Sequence, residues 1–238
     1  MYEFGRRLLR FKACFFLFLC LMCVAAKAGQ KQPKLPPITA SGSVDMKLLL
    51  RGGPFKDLVE GKESAPVTIV EYASVSCAHC ADFYVNVLPK IEKKYIKTGK
   101  VRYIFREFPY DPRATAAFML ARCLPKERYT AFLKVLYQKM DDWAFSEDGE
   151  TALENIARLA GMSEHSFNAC LKNEKLLHAV NEETNLGAAL NITATPTFFI
   201  NGLKYVGAFT EQEISTIIET ELKKNAKGIM SKKMHSRK

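Results

Sequence analysis

The sequence lacks the features that mark a membrane-spanning, repetitive or nucleic-acid-binding protein. Its uncharged apolar run, Ala13–Ala26, is shorter than the roughly 20 residues that a membrane-spanning helix needs. No segment repeats along the 238 residues, which excludes solenoid architectures. The formal net charge is +10, but basic and aromatic residues do not combine in a platform for nucleic acid, so we expect no nucleic-acid partner.

Ligands for a metal ion are also missing. After residue 28 the sequence has one Cys-x-x-Cys motif, Cys77–Cys80, and neither a second such motif nor a pair of histidines accompanies it. A tetrahedral zinc site needs four ligands. A zinc half-site is therefore the weaker interpretation of the motif, and we expect no metal ion and no other cofactor.

The N-terminus has the pattern of a secretory signal peptide. Basic residues between Arg6 and Lys12 precede the apolar run, and Ala26-Lys27-Ala28 is a small-x-small cleavage site. Residues 1–28 are interpreted as a signal peptide, the alternative being an uncleaved signal anchor. Export to an oxidising compartment favours disulfides among the cysteines that remain. These are Cys77, Cys80, Cys123 and Cys170.

Composition and periodicity divide the rest of the chain. Residues 29–43 are rich in Lys, Pro, Gly and Ser, which predicts a flexible tether. Strand patterns in residues 44–112 and 190–224 flank residues 113–189, where the periodicity is helical throughout. Residues 225–238 are basic without an acidic residue and are predicted to be a disordered tail.

The motif Cys77-Ala78-His79-Cys80 follows the apolar strand pattern of Val67–Tyr72 and opens an amphipathic helix. A strand, a Cys-x-x-Cys motif and a helix in this order are typical of a thioredoxin-like redox site. Cys77 lies at the helix start, where the dipole stabilises a thiolate, so we expect it to be the nucleophile. Cys80 is then the resolving cysteine, and His79 can donate a hydrogen bond to the Cys77 thiolate.

A second motif far downstream strengthens this interpretation. Thr195-Pro196 precedes a predicted hairpin around Asn201-Gly202. Four segments together make the sequence resemble the DsbA family of periplasmic thiol:disulfide oxidoreductases, and the alphaproteobacterial-type branch in particular. These segments are Ala65–Tyr72, Cys77–Cys80, Phe105–Pro109 and Thr195–Gly202, and the resemblance extends over about residues 61–222.

The resemblance implies an α/β fold, thioredoxin-like, with an inserted all-helical domain. It implies that Ala78 and His79 belong to the catalytic motif, and that Pro196 is cis and offers substrate an edge together with Thr195. The resemblance also implies that Glu71 is a buried acid that moves protons, because burial raises a carboxyl pKa. The alternative for Glu71 is a partly solvated position or a sheet edge.

The spacing of Cys77 and Cys80 favours the pairing that leaves Cys123 with Cys170. Export and the resemblance favour a structural disulfide between these two residues. The alternative is a pair of buried free thiols that act as small hydrophobes.

The resemblance implies a monomeric dithiol oxidase in the periplasm of a Gram-negative bacterium. Its partners would be reduced exported proteins and a DsbB-type membrane quinone reductase that reoxidises it. Two alternatives stay open at this point. One is a disulfide isomerase or reductase of the same fold, and the other is a peptide-binding protein whose Cys-x-x-Cys is a structural staple.

Overall fold

The computed structural model describes residues 38–235. For residue 229 and residues 231–235 it describes the backbone only. The predicted signal peptide and residues 29–37 of the predicted tether lie outside this range. Within it, no helix combines the length and the apolar character that crossing a membrane requires.

A mixed sheet forms the centre of the described chain. Its strands are β1 (Gly42–Ser43), β2 (Leu58–Glu60), β3 (Val67–Ala73), β4 (Val101–Glu107), β5 (Thr197–Ile200) and β6 (Leu203–Val206). The spatial order is β1-β6-β5-β3-β4-β2, with β3 and β4 parallel and the other pairs antiparallel. The central strand β3 is covered on both faces, which explains its nearly continuous apolar sequence.

Helices surround the sheet. A short helix, α1, spans Met46–Leu49, and α2 runs without a break through four segments that alternate between α- and π-helical geometry. These segments are Ala78–Asp82, Phe83–Val87, Leu88–Ile91 and Glu92–Ile96, of which the second and fourth are π-helical. Pro89 has no N–H to donate, and the wider turn before it lets the helix continue past the proline.

The predicted insertion is helical from Pro112 to Ala189. Its helices are α3 (Pro112–Cys123), α4 (Lys126–Gln138), α5 (Met140–Trp143), α6 (Gly149–Leu159), α7 (Glu164–Leu171) and α8 (Glu174–Ala189). The indole of Trp143 is fully buried in this layer and donates to the Leu136 carbonyl at 2.9 Å. The last helix, α9 (Glu211–His235), follows the β5–β6 hairpin.

Strand alternation assigns side chains to two apolar layers. On β3, Ile69 and Ala73 face the layer that contains α2 and the insertion, whereas Val70 and Tyr72 face the layer of Leu49 and Phe108. Glu71 lies between Ile69 and Ala73 in the alternation. Its carboxylate is therefore directed towards the helix that carries the two cysteines.

A buried ionic group ties the insertion to the sheet. Glu107, at the end of β4, is fully buried and accepts from Arg122 of α3 at 2.7 Å and from the Tyr129 hydroxyl of α4. Removing one partner of such a group leaves an unpaired buried charge, which is strongly destabilising. The insertion is thus fastened to the strand that lies beside β3.

The structure corrects the prediction of a disordered tail from residue 225, because α9 continues to His235. Lys224 forms an ion pair with Glu221 at 2.6 Å, and Asn225 donates to the Pro66 carbonyl at 2.6 Å. Lysine and alanine, which are frequent in residues 223–227, are good helix formers. These contacts and propensities extend the helix beyond the predicted domain boundary at residue 224.

The predicted tether also ends earlier than expected. Gly42–Ser43 pair with β6, and the Val44 amide donates to the Gly202 carbonyl at 2.8 Å. These few residues find backbone partners because β6 would otherwise present an unpaired edge.

Candidate redox site

The two cysteines of the motif lie where the chain turns from β3 into α2. Cys77 is the N-cap of α2, with φ −94° and ψ 118°, and its amide donates to the Ser74 carbonyl at 3.2 Å. Cys77 is 7% exposed and Cys80 is fully buried, and both are free thiols. The sulfur that solvent can reach is therefore that of Cys77.

Several hydrogen bonds converge on the Cys77 sulfur. The side chain of Cys80 is the strongest influence that lowers the Cys77 pKa, and a side-chain hydrogen bond from Thr195 and the amides of Cys80 and His79 add to it. They outweigh the opposing effect of burial and bring the Cys77 pKa from 9.0 to about 5. Burial raises the pKa of the Cys80 thiol strongly, so Cys80 stays protonated. The two sulfurs have the asymmetry that a nucleophile and a resolving thiol need.

Ala78 and His79 are exposed next to the Cys77 sulfur. The hydrogen bond from His79 that lowers the Cys77 pKa comes from its backbone amide. The sequence analysis predicted that His79 can donate to the Cys77 thiolate. In the structure the backbone amide at the helix start is this donor, and the His79 residue is exposed.

The loop of Thr195 and Pro196 lies directly against Cys77. The Thr195–Pro196 peptide bond is cis, and the Thr195 carbonyl accepts from the Cys77 thiol at 3.3 Å. The Gly207 amide donates to the Pro196 carbonyl at 2.9 Å, and the Thr197 hydroxyl donates to Ala194 at 2.7 Å. These contacts hold the backbone of the loop beside the sulfur.

Glu71 lies beneath the cysteines in the layer of α2. It is 1% exposed, so it occupies a buried position rather than a solvated edge, and it accepts a hydrogen bond from the Tyr103 hydroxyl through Oε2. Burial is the main cause that raises its pKa to about 8; the Tyr103 hydrogen bond opposes this effect and the Cys77 charge adds to it. A carboxyl of this kind is protonated at neutral pH and can give up its proton.

Residues that the sequence analysis did not identify support the loop before Cys77. The hydroxyls of Ser74 and Ser76 lie 3.0 Å apart, and Ser76 donates to Asp111 Oδ2 at 2.5 Å. Asp111 also caps α3 by accepting from the Ala114 amide at 2.9 Å. An Asp before a Pro is a recognisable helix start, but its second partner, Ser76, could not be found without the fold.

The second cysteine pair lies in the insertion. Cys123, the last residue of α3, is joined to Cys170 of α7 with an S–S distance of 2.09 Å and a Cα separation of 6.2 Å. Asp111 caps the other end of α3 beside the redox loop. Because a helix rises 1.5 Å per residue, Cys123 lies about 18 Å along the helix axis from that end.

Comparison with known proteins relates the chain to a family. A family model described as thioredoxin matches residues 55–220. A candidate protein-disulfide oxidoreductase of Rickettsia felis is 32% identical over 207 residues, which is 85% of this chain and 71% of the relative. The crystal structure of Wolbachia pipientis alpha-DsbA1 is 35% identical, with a TM-score of 0.68 and coverage of 76% of this chain and 98% of that one. For oxidised BdbD from Bacillus subtilis the identity is 25% and the TM-score 0.63, with coverage of 79% and 100%.

Proposed function

This chain belongs to the DsbA-like protein-disulfide oxidoreductases of the thioredoxin family, and on this premise we propose that its Cys77–Cys80 pair oxidises the thiols of exported proteins. The family relationship confirms the predicted fold class, a thioredoxin-like fold with a helical insertion, and the predicted enzyme class. The chain acts by thiol–disulfide exchange with protein substrates. The residues that carry out the exchange, the compartment and the individual partners are our proposal.

The observation that carries the proposal is the stabilised sulfur of Cys77. In the oxidised enzyme a substrate thiolate attacks this sulfur, the Cys77–Cys80 bond breaks, and Cys80 leaves as a thiolate that takes up a proton. A second substrate thiolate then attacks the substrate sulfur of the mixed disulfide and displaces the Cys77 thiolate. A thiol with a pKa of about 5 is a good leaving group, and its stability in the reduced form favours transfer of the disulfide to substrate.

Substrate would bind along the loop that faces Cys77. The backbone beside cis Pro196 is held in place next to the sulfur, so an extended polypeptide can add to it by main-chain hydrogen bonds at Thr195. Ala78 and His79 are exposed on the same approach. Recognition through the backbone suits an enzyme that acts on many unfolded sequences.

The reduced enzyme must be reoxidised to act again. A DsbB-type membrane quinone reductase is the proposed partner for this step, and the proposed compartment is the periplasm of a Gram-negative bacterium, reached through the signal peptide of residues 1–28. The enzyme is proposed to act as a monomer.

A redox titration against glutathione, together with oxidation of a reduced dithiol peptide, tests the function. We expect an oxidising potential and catalytic oxidation of the peptide. A potential below about −300 mV would instead identify a structural staple. Efficient reshuffling of scrambled ribonuclease with little peptide oxidation would identify an isomerase.

Variants of the two cysteines test their separate roles. Cys77→Ser should abolish exchange, because it removes the sulfur that substrate attacks. Cys80→Ala should trap mixed disulfides, because Cys77 can then be joined to substrate but has no resolving partner. Oxidase activity in Cys77→Ser would refute the assignment of the nucleophile.

A further inference from the structure

The oxidase reaction requires a proton deep inside the protein. Cys80 is fully buried and leaves as a thiolate when substrate attacks Cys77, and Glu71, the nearby acid, is 1% exposed. The charge of Glu71 raises the pKa of the Cys80 thiol, as expected for neighbouring groups. Glu71 can therefore supply one proton to Cys80, but it has no surface of its own through which to recover it.

Tyr103 lies on the other side of Glu71. Its hydroxyl donates to Glu71 Oε2, and its side chain projects from β4 into the same layer. The strand register explains the contact, because Tyr103 pairs with Ile69 and Glu71 is the next residue of β3 on that face.

Tyr103 also lines a cleft at the surface. The cleft has a volume of about 220 Å3 and lies between β2, β4, α2 and α4. Its lining includes Tyr84, Phe105 and Thr130, with the acidic Glu60 and the basic Lys126. The cleft is open to the surface and has charged side chains in its lining, so a space of this size can hold several water molecules. Tyr103 is thus in contact with the buried acid and also lines a space that water can enter.

We propose that Tyr103 relays protons between Glu71 and this cleft each time the Cys77–Cys80 disulfide is transferred to substrate. The inference rests on the proposed function, because that reaction is what consumes the proton. Glu71 gives its carboxyl proton to the Cys80 thiolate and becomes a carboxylate. The Tyr103 hydroxyl donates its proton to Glu71 and takes one from water in the cleft. One solvent proton is consumed, and both relay groups return to their starting state.

Other titratable groups face the relay. The pKa of Glu60 on β2 is raised by burial and by Glu92 of α2, and lowered by Lys97. The phenols of Tyr84 on α2 and Tyr137 on α4 also lie near Glu71, since its charge raises the pKa of each. The Tyr137 hydroxyl has no hydrogen-bond partner among the described residues, so it offers no continuous path. The hydrogen bond that connects Glu71 to a cleft-lining residue is that of Tyr103.

The test measures how fast a reduced dithiol peptide reduces the oxidised protein, by acid quench and thiol labelling. At pH 9, above the Glu71 pKa of about 8, Glu71 starts as a carboxylate and the proton for Cys80 must arrive through the relay. Tyr103→Phe should slow this step there by about a hundredfold or more, within the range for loss of a proton-transfer group. Tyr95→Phe is the matched control, because it also removes a buried phenol hydroxyl. Unlike that of Tyr103, the Tyr95 hydroxyl has no hydrogen-bond partner among the described residues, and it lies at the far end of α2. Tyr95→Phe should react like the unchanged protein.

A double-variant cycle separates a relay from a structural effect. In a Glu71→Gln background the relay is already interrupted, so Tyr103→Phe should cause little further loss of rate. Equal slowing by Tyr103→Phe in both backgrounds, or no slowing in either, would overturn the relay. If the unchanged protein fails to oxidise the peptide at all, the proposed function itself has failed, which is a different outcome.

A second variant leaves the buried core intact. Thr130 is exposed and lines the cleft, so Thr130→Trp should obstruct the cleft and slow the same step. Ala131 is exposed on α4 and does not line the cleft, so Ala131→Trp is the control for added bulk. Equal rates for the two tryptophan variants would contradict proton entry through this cleft.

Discussion

Several hydrogen-bond donors stabilise the Cys77 thiolate. Removing one of them should therefore raise the Cys77 pKa without restoring its ordinary value. Thr195→Val removes the side-chain hydrogen bond and keeps the shape of the residue. We expect the Cys77 pKa to rise above about 5 and the protein to become a weaker oxidant, because the leaving thiolate is less stable. The ultraviolet absorbance of the thiolate, titrated against pH, measures the shift.

Thr193→Val is the control for this substitution. Thr193 is exposed two residues earlier in the same loop, and the substitution makes the same chemical change away from the sulfur. An equal pKa shift in both variants would mean that the loop has moved as a whole and that the Thr195 hydroxyl has no specific effect.

Elements with strong periodicity could be predicted from the sequence, whereas short ones could not. The strands β3 and β4 and the β5–β6 hairpin were recognisable from apolar patterning and from Asn201-Gly202. The edge strand Leu58–Glu60 is too short to show alternation, and its pairing with β4 depends on the fold.

The same limit applies to the redox site. The cysteines could be identified because their spacing along the chain is itself the signal. Tyr103 could not be identified, because its contact with Glu71 depends on the register between β3 and β4. A sequence shows which residues face one side of a strand, but pairing between strands decides which of them meet.

At the scale of the elements, the packing of α8 against the sheet depends on a residue without a side chain. A Cβ added to Gly187 would lie 2.8 Å from two ring atoms of Phe108 and 3.2 Å from Tyr72. Gly187→Ala should therefore lower the free energy of unfolding by about 1–3 kcal/mol through overpacking, although alanine is the better helix former. Gly228→Ala on α9 has no heavy atom within 4 Å of the new Cβ and should be neutral or stabilising by up to about 1 kcal/mol. Urea unfolding of both variants measures the contrast, and equal destabilisation would contradict it.

At the scale of the whole molecule, the redox state should change stability in a pH-dependent way. The pKa of Cys77 in the folded reduced protein, about 5, lies below its ordinary 9.0. Such a group stabilises the folded form above its unfolded pKa, and the stabilisation is lost as pH falls through the folded value. We expect the reduced form to melt higher than the oxidised form at neutral pH, and the difference to shrink as the pH approaches about 5.

Thermal melts of both redox forms at several pH values measure this dependence. The raised pKa of Glu71 acts in the opposite direction between about pH 4.5 and 8. Glu71 is present in both redox forms, so the difference between their melting temperatures reports mainly on Cys77. An oxidised form that melts higher at neutral pH would argue against an oxidising enzyme.

The number of free thiols in the denatured protein tests the second disulfide. With Cys123 and Cys170 joined, and Cys77 and Cys80 oxidised, the denatured protein beginning at Gly29 should contain no free thiol. Thiol labelling in denaturant without reductant measures the number. Two free thiols after complete oxidation of the Cys-x-x-Cys pair would show that the second pair is not bridged.

The contact between Cys77 and Thr195 joins residues that are 118 positions apart in the chain. When the chain emerges with its N-terminus first, both motif cysteines emerge long before the loop that contains Thr195. Until then Cys77 lacks the hydrogen bond from the Thr195 side chain that helps to lower its pKa. The complete hydrogen-bond environment of Cys77 can therefore form only after the whole insertion has emerged and the segment that contains Thr195 has joined the fold.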